Sequence, residues 1–244
     1  MAAGNFFFEL PPVTRTYLAL CASATALCAL DVLSPFHLYF NWLAIVSRGQ
    51  TWRLVTSFCY FGNAGLNFFL NMVFLLRYSK GLEEGYGPAR MWDFAFCMCA
   101  GAALVLLVAP YTDMIFFGTS LTSHLVYLWS RRNPGMQISL FFLVTFSAPY
   151  LPWVLLGFSA LLGHDVKQDL LGIAVGHVYF FLEDVWPALA AARGWWVTQL
   201  LPSPSNLAAL ARRCCGGGGG ARPPTRADAA AAGGGGVRLD NRAA

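Results

Sequence analysis

Residues 170–186 read LLGIAVGHVYFFLEDVW. Gly172 and Gly176 are four apart, so on a helix they share one face and let a second backbone approach closely. His177 follows at once, about midway along a run that stays apolar until Glu183–Asp184. Such a stretch is either a core helix or a membrane span, and its surroundings decide between them. The 244-residue chain is 57% hydrophobic and 11% charged, against roughly 25% charged in an ordinary soluble domain. It holds 20 Phe and 8 Trp at a mean hydropathy of +0.54, which excludes a disordered or nucleic-acid-binding chain.

A bilayer core asks for about 20 mostly apolar residues per helix. Six segments qualify: Tyr17–Pro35, Leu54–Leu76, Met91–Pro110, Met114–Trp129, Ile138–Leu162 and Leu170–Trp186. The expected fold is therefore an all-α membrane protein, a six-transmembrane helical bundle over residues 1–190. Residues 191–244 are expected to form a cytosolic, flexible, disordered tail, with glycine runs at Gly216–Gly220 and Gly233–Gly236. The N-terminal region holds Glu9 and no early Lys or Arg, unlike a secretory signal peptide. With six spans both termini share a side. Placing them in the cytosol puts 13 of the 16 Lys and Arg residues there and leaves Arg48, Arg53 and Lys167 opposite.

Cys21, Cys28, Cys59, Cys97 and Cys99 fall in apolar stretches and read as small hydrophobes rather than a disulfide framework. Cys214–Cys215, beside Arg212–Arg213, also fits reversible S-palmitoylation. No metal-ligand spacing and no cofactor motif is present.

Polar residues inside the spans mark where function is expected. The connection from His37 to Ser57 is too apolar for a free loop and too polar to span, so it reads as half-sunk in the non-cytosolic leaflet or, more plainly, as an ordinary amphipathic connector. Asn63, Asn67 and Asn71 are spaced i, i+4, i+8 and are expected to share a helix face. That face is either an interhelical hydrogen-bond seam or the wall of a wet cavity. Gly118-Thr119-Ser120 opens the fourth span, and a Ser120–His177 nucleophile–base pair is geometrically conceivable, with His124 as a competing partner. The plainer reading of Ser120 is a packing or capping hydroxyl. Glu183–Asp184 read as interfacial carboxylates.

Longer motifs run along the chain in order: Pro11-Pro12-Val13-Thr14-Arg15, Trp52-Arg53, Leu82-Glu83-Glu84, Trp129-Ser130-Arg131-Arg132-Asn133-Pro134, Leu151-Pro152-Trp153-Val154-Leu155 and Gly172 through Asp184. Over residues 6–190 these resemble the Derlin family, most closely its Derlin-2/Derlin-3 branch. The resemblance implies a rhomboid-like fold, a proteolytically inactive pseudoenzyme, residence in the endoplasmic reticulum membrane and a role in endoplasmic-reticulum-associated degradation. Implied partners are misfolded protein substrates, a Hrd-type membrane ubiquitin ligase, the AAA ATPase valosin-containing protein, and the lipid bilayer. Homo- or hetero-oligomers with other Derlins are also implied. Trp52-Arg53 corresponds to the family's WR motif. Gly172, Gly176 and His177 correspond to the GxxxGH motif, counterpart of the rhomboid helix that bears the catalytic histidine.

Two departures stand out. Rhomboid nucleophiles sit in G-x-S-G, whereas this chain has Gly118-Thr119-Ser120-Leu121, and counting back from Trp129 places Gly118 at the nucleophile position. The expected catalytic set is therefore empty, with Ser120 and His177 kept only as the alternative. In the tail, Gly234, Gly236, Arg238 and Leu239 resemble the family's unfoldase-docking segment, but its aromatic position is Ala232, so docking is expected to be weakened.

Overall fold

The computed structural model describes residues 8–140, 144–195 and 203–205. Helix α1 (Pro12–Ala29) begins with Pro12 in its first turn, where a missing N–H costs nothing. No side chain of its own caps it. Glu83 does so from α4 (Leu66–Tyr86), accepting from the amides of Val13 at 3.0 Å and Thr14 at 2.8 Å. It also accepts from the Thr14 hydroxyl at 2.7 Å. Between α1 and α4 lie two short helices, α2 (Trp42–Arg48) and α3 (Arg53–Cys59). Asn41 caps α2 through the Ala44 amide, and Gly49 ends it in the left-handed conformation at φ 65°.

Helix α5 (Met91–Val108) leads to α6 (Gly118–Arg132), the centre of the bundle. Although α6 is rich in hydroxyls, it is buried almost all round, from Gly118 and Ser120 to Trp129 and Ser130. The outer surface is the reverse: Leu43 and Val46 on α2, Phe69 on α4 and Leu107 on α5 are exposed. Thr14, Thr25, Ser57, Ser79, Thr122 and His124 are buried. An apolar exterior around a core that mixes apolar side chains with buried hydroxyls suits a lipid solvent, where apolar burial drives nothing and close packing with interhelical hydrogen bonds holds helices together.

Two expected spans are corrected. The segment Leu54–Leu76 is two helices, α3 and α4, because the chain turns through Gly62 (φ 95°) and α4 starts only after Gly65. Asn63 is thus off the helix, its Oδ1 accepting from the Tyr60 hydroxyl at 3.1 Å, and only Asn67 and Asn71 share α4. The segment Ile138–Leu162 holds an antiparallel hairpin, β1 (Gln137–Leu140) with β2 (Val144–Ser147), then α7 (Leu151–Leu161). Ile138 pairs with Phe146 and Ser139 with Thr145. β-branched and aromatic residues favour strands, and hydropathy alone does not separate a short apolar strand from a helix. The bundle is therefore mainly helical with one hairpin rather than all-α. Among the described residues one helical stretch, Pro88–Tyr111, is long and apolar enough to cross a membrane, at mean hydropathy 2.1.

Helix α8 (Val166–Phe180) is capped by Asp165 and continues through a π turn (Phe181–Val185) into α9 (Trp186–Arg193). The described residues form one compact unit. Cys214–Cys215 and the docking residues Gly234, Gly236, Arg238 and Leu239 lie outside the described residues.

Candidate functional site

The glycines of α8 are where α6 fits. A Cβ on Gly172 would collide with the Ser120 carbonyl oxygen and sit 2.7 Å from Ser123 Cβ. One on Gly176 would lie 2.9 Å from Tyr127 Cβ. Both obstacles are backbone or backbone-attached atoms, so the close approach exists only because both positions lack a side chain. The contact also fixes the register: Ser120 lies opposite Gly172, and Tyr127 opposite Gly176.

That register separates Ser120 from His177. Seven residues along α6 correspond to about 10 Å between the levels of Ser120 and Tyr127, at 1.5 Å per residue. The Ser120 hydroxyl donates to the Gln168 carbonyl at 2.9 Å. His177 Nδ1 is instead 2.6 Å from the Tyr127 hydroxyl, which also accepts from Arg131 Nε at 3.0 Å. The conceivable Ser120–His177 pair is corrected: each residue has a different partner. His124 is buried against Gly101 of α5 and edge-on to Tyr179 at 5.5 Å between ring centroids.

A cavity of about 130 Å³, lined by polar and apolar side chains in similar measure, opens among α4, α6, α7 and α8. Asn67 and Asn71 line one side, with Thr122 and Ser123 of α6 beside them. Ser159 of α7 and Gln168 and Asp169 of α8 close the ring. Asn71 Nδ2 donates to both the carbonyl and side-chain oxygens of Asn67, at 2.9 and 2.8 Å. The Ser123 hydroxyl donates to Asp169 Oδ1 at 2.7 Å. A space of this size has room for several waters, with donors and acceptors on its polar side.

Trp52 and Arg53 take opposite environments. Trp52 is 55% exposed and Arg53 only 7%. The guanidinium donates from Nη1 to the carbonyls of Phe36 at 3.0 Å and Tyr39 at 2.9 Å, and from Nε to Gln50 Oε1 at 2.6 Å. It also lies over the Tyr39 ring, 4.8 Å from the centroid. Arg53 thus ties together the connection between α1 and α3. The loop is joined to the start of α6 by Phe117 N–H donating to Ser57 O and Phe40 N–H to Ile115 O, at 2.9 and 2.8 Å.

At the other end of the bundle a cluster not singled out among the candidate site residues forms around Arg132. Its Nη1 donates to the Tyr86 hydroxyl at 2.6 Å, and its Nη2 to Glu183 Oε2 at 2.8 Å and Asp184 Oδ2 at 3.0 Å. One guanidinium joins α4, α6 and the π turn after α8. The signal was present in the alternation of basic and acidic motifs, Arg131-Arg132 and Glu183-Asp184, but their adjacency is tertiary.

The profile of the Der1-like family matches residues 10–198. Derlin-2.1 of Zea mays is 40% identical over 220 residues, 86% of each chain. Derlin-2.2 of Arabidopsis thaliana is also 40% identical, across 86% of this chain and 88% of its own. A probable derlin-2 homolog of Dictyostelium discoideum is 38% identical, across 84% and 82%. The match spans the whole helical bundle and every motif residue placed above, and the chain accordingly belongs to the Der1-like (Derlin) family, rhomboid-like membrane proteins of endoplasmic-reticulum-associated degradation.

Proposed function

We propose that this Derlin is a non-catalytic component of endoplasmic-reticulum-associated degradation that helps misfolded luminal and membrane proteins return to the cytosol. The observation that carries this reading is the cavity whose polar side holds Asn67, Asn71, Ser123 and Asp169 inside an apolar-faced bundle. A chain crossing hydrocarbon exposes backbone groups that cost several kcal/mol each when unsatisfied. Amides, hydroxyls and a carboxylate at membrane depth offer those groups partners. Helices α6, at 15 residues, and α7, at 11, are shorter than a bilayer crossing, which favours local thinning by hydrophobic mismatch. The protein would be multi-pass in the endoplasmic reticulum membrane with both termini cytosolic. A Hrd-type ubiquitin ligase and valosin-containing protein would supply ubiquitylation and pulling work.

The test is site-specific crosslinking from Asn67 and Asn71 to a retained misfolded reporter, combined with reporter turnover in cells carrying Asn67→Leu/Asn71→Leu. The expected result is crosslinking in the wild type and slowed turnover in the variant at normal protein level. Normal turnover without crosslinks would instead favour a passive assembly adaptor.

A further inference from the structure

Asp93, in the first turn of α5, is 1% exposed, and its carboxylate receives a segment from far along the chain. Ser205 donates to it twice, from its amide to Oδ1 at 2.9 Å and from its hydroxyl to Oδ2 at 2.7 Å. Arg90 Nε donates to the same Oδ2 at 2.6 Å, and its side chain is half exposed. Ser203, 3% exposed, has its hydroxyl 3.3 Å from that of Ser205. Pro204 follows Ser203 directly.

We propose that Ser203 is a phosphorylation site whose modification releases Ser203–Ser205 from Asp93. A serine followed by proline is the dipeptide that proline-directed serine kinases accept. The phosphoryl group passes from a nucleoside triphosphate to Ser203 Oγ: the new Oγ–P bond forms, the bond from Pγ to the diphosphate breaks, and the hydroxyl proton leaves to the kinase's base. The kinase takes the segment when it opens, and the phosphate then bars return. The group adds a charge of about −1.5 to −2 beside the Asp93 carboxylate. Among the described residues Arg90 alone is paired with Asp93, so a second anion leaves the site with net negative charge. Access of a cytosolic kinase rests on the proposed placement of the C-terminal region in the cytosol.

The test uses the full chain purified in detergent, treated with a proline-directed kinase and ATP, with Ser203→Ala as the site control. Hydrogen exchange at the Ser205 amide reads the docking. Stoichiometric phosphorylation, or Ser203→Glu, is expected to speed exchange at least tenfold. In Asp93→Asn, which removes the opposing charge, the two phosphorylation states are expected to exchange within about twofold of each other. Unchanged exchange, slower exchange as the phosphate captures Arg90, or the full acceleration persisting in Asp93→Asn would each overturn the proposal, as would phosphate entering elsewhere than Ser203. A separate arm adds the kinase outside sealed microsomes. Incorporation only after permeabilisation would refute the cytosolic placement while leaving the acceptor site standing.

Discussion

Tyr127 is hydrogen-bonded to His177, its phenolic oxygen 2.6 Å from Nδ1, while Arg131 Nε approaches the same oxygen at 3.0 Å. Arginine can only donate, so the Tyr127 hydroxyl is free to give its proton to Nδ1. A neutral imidazole accepting at Nδ1 carries its proton on Nε2. Neither nitrogen is then available to take a proton from a serine, and Ser120 in any case donates to Gln168. Ser120→Ala is expected to restore degradation of a luminal misfolded reporter as fully as wild type, and a serine-reactive probe to label neither protein. Labelling lost in Ser120→Ala would reinstate the protease.

Tyr127→Phe keeps the packing against Gly176 and removes the hydroxyl that serves Arg131 and His177. Side-chain hydrogen bonds between membrane helices contribute on the order of 0.6–2 kcal/mol. The variant is expected to lose about 1 kcal/mol in thermal or denaturant unfolding in detergent. His177→Phe should lose a similar amount, and the double variant less than the sum, since both remove one bond.

Glycines 172 and 176 are expected to rank differently from Gly157, where an added Cβ meets nothing within 4 Å. Gly172→Ala forces a side chain into the Ser120 carbonyl, which cannot move without displacing α6. Overpacking of a tight interface costs about 1–3 kcal/mol and more where backbone must shift. Gly172→Ala and Gly176→Val should therefore cut steady-state protein level and unfolding temperature, while Gly157→Ala leaves both near wild type. Matched stability of all three would remove the α6–α8 contact from the account.

How far the sequence could lead is clearest from these residues. The GxxxG face was legible because the spacing alone puts both glycines on one side of a helix. The partner was not, since only tertiary register places Ser120 and Tyr127 opposite them. The Asn triad failed at Asn63 because a periodicity of four says nothing of where the helix begins, and Gly62 and Gly65 delay it to Leu66. The hairpin after α6 was hidden by its own hydropathy, which is equally high in a strand and a span. Trp52-Arg53 was readable as a motif but not as one residue facing out and one facing in.

Glu83 and Glu84 are adjacent and alike in sequence, yet they are expected to respond oppositely to neutralisation. Glu83 is 4% exposed and satisfies the start of α1 through Val13 and Thr14, whereas Glu84 pairs with Lys80 at 3.7 Å on the surface. Hydrogen bonds to a charged acceptor contribute about 1.5–3 kcal/mol, and exposed ion pairs below about 1 kcal/mol. Glu83→Gln should lower stability by about 2 kcal/mol and raise hydrogen exchange at the Thr14 amide, with Glu84→Gln close to neutral.

Arg53 and Trp52 offer the sharpest separation of folding from membrane contact. Arg53→Lys cannot reach Phe36 O, Tyr39 O and Gln50 Oε1 together, because an ammonium lacks the planar fork that serves them. Its loss leaves two carbonyls short of a donor, at a cost of about 1–3 kcal/mol where they are buried. Trp52→Ala removes an exposed ring. Arg53→Lys is therefore expected to speed hydrogen exchange across residues 36–53 in detergent. Trp52→Ala should leave that exchange unchanged and instead reduce quenching of the loop by lipid-borne quenchers in bilayers. If Trp52→Ala loosened the loop in detergent as much as Arg53→Lys does, the division between an internal tie and an interfacial anchor would fail.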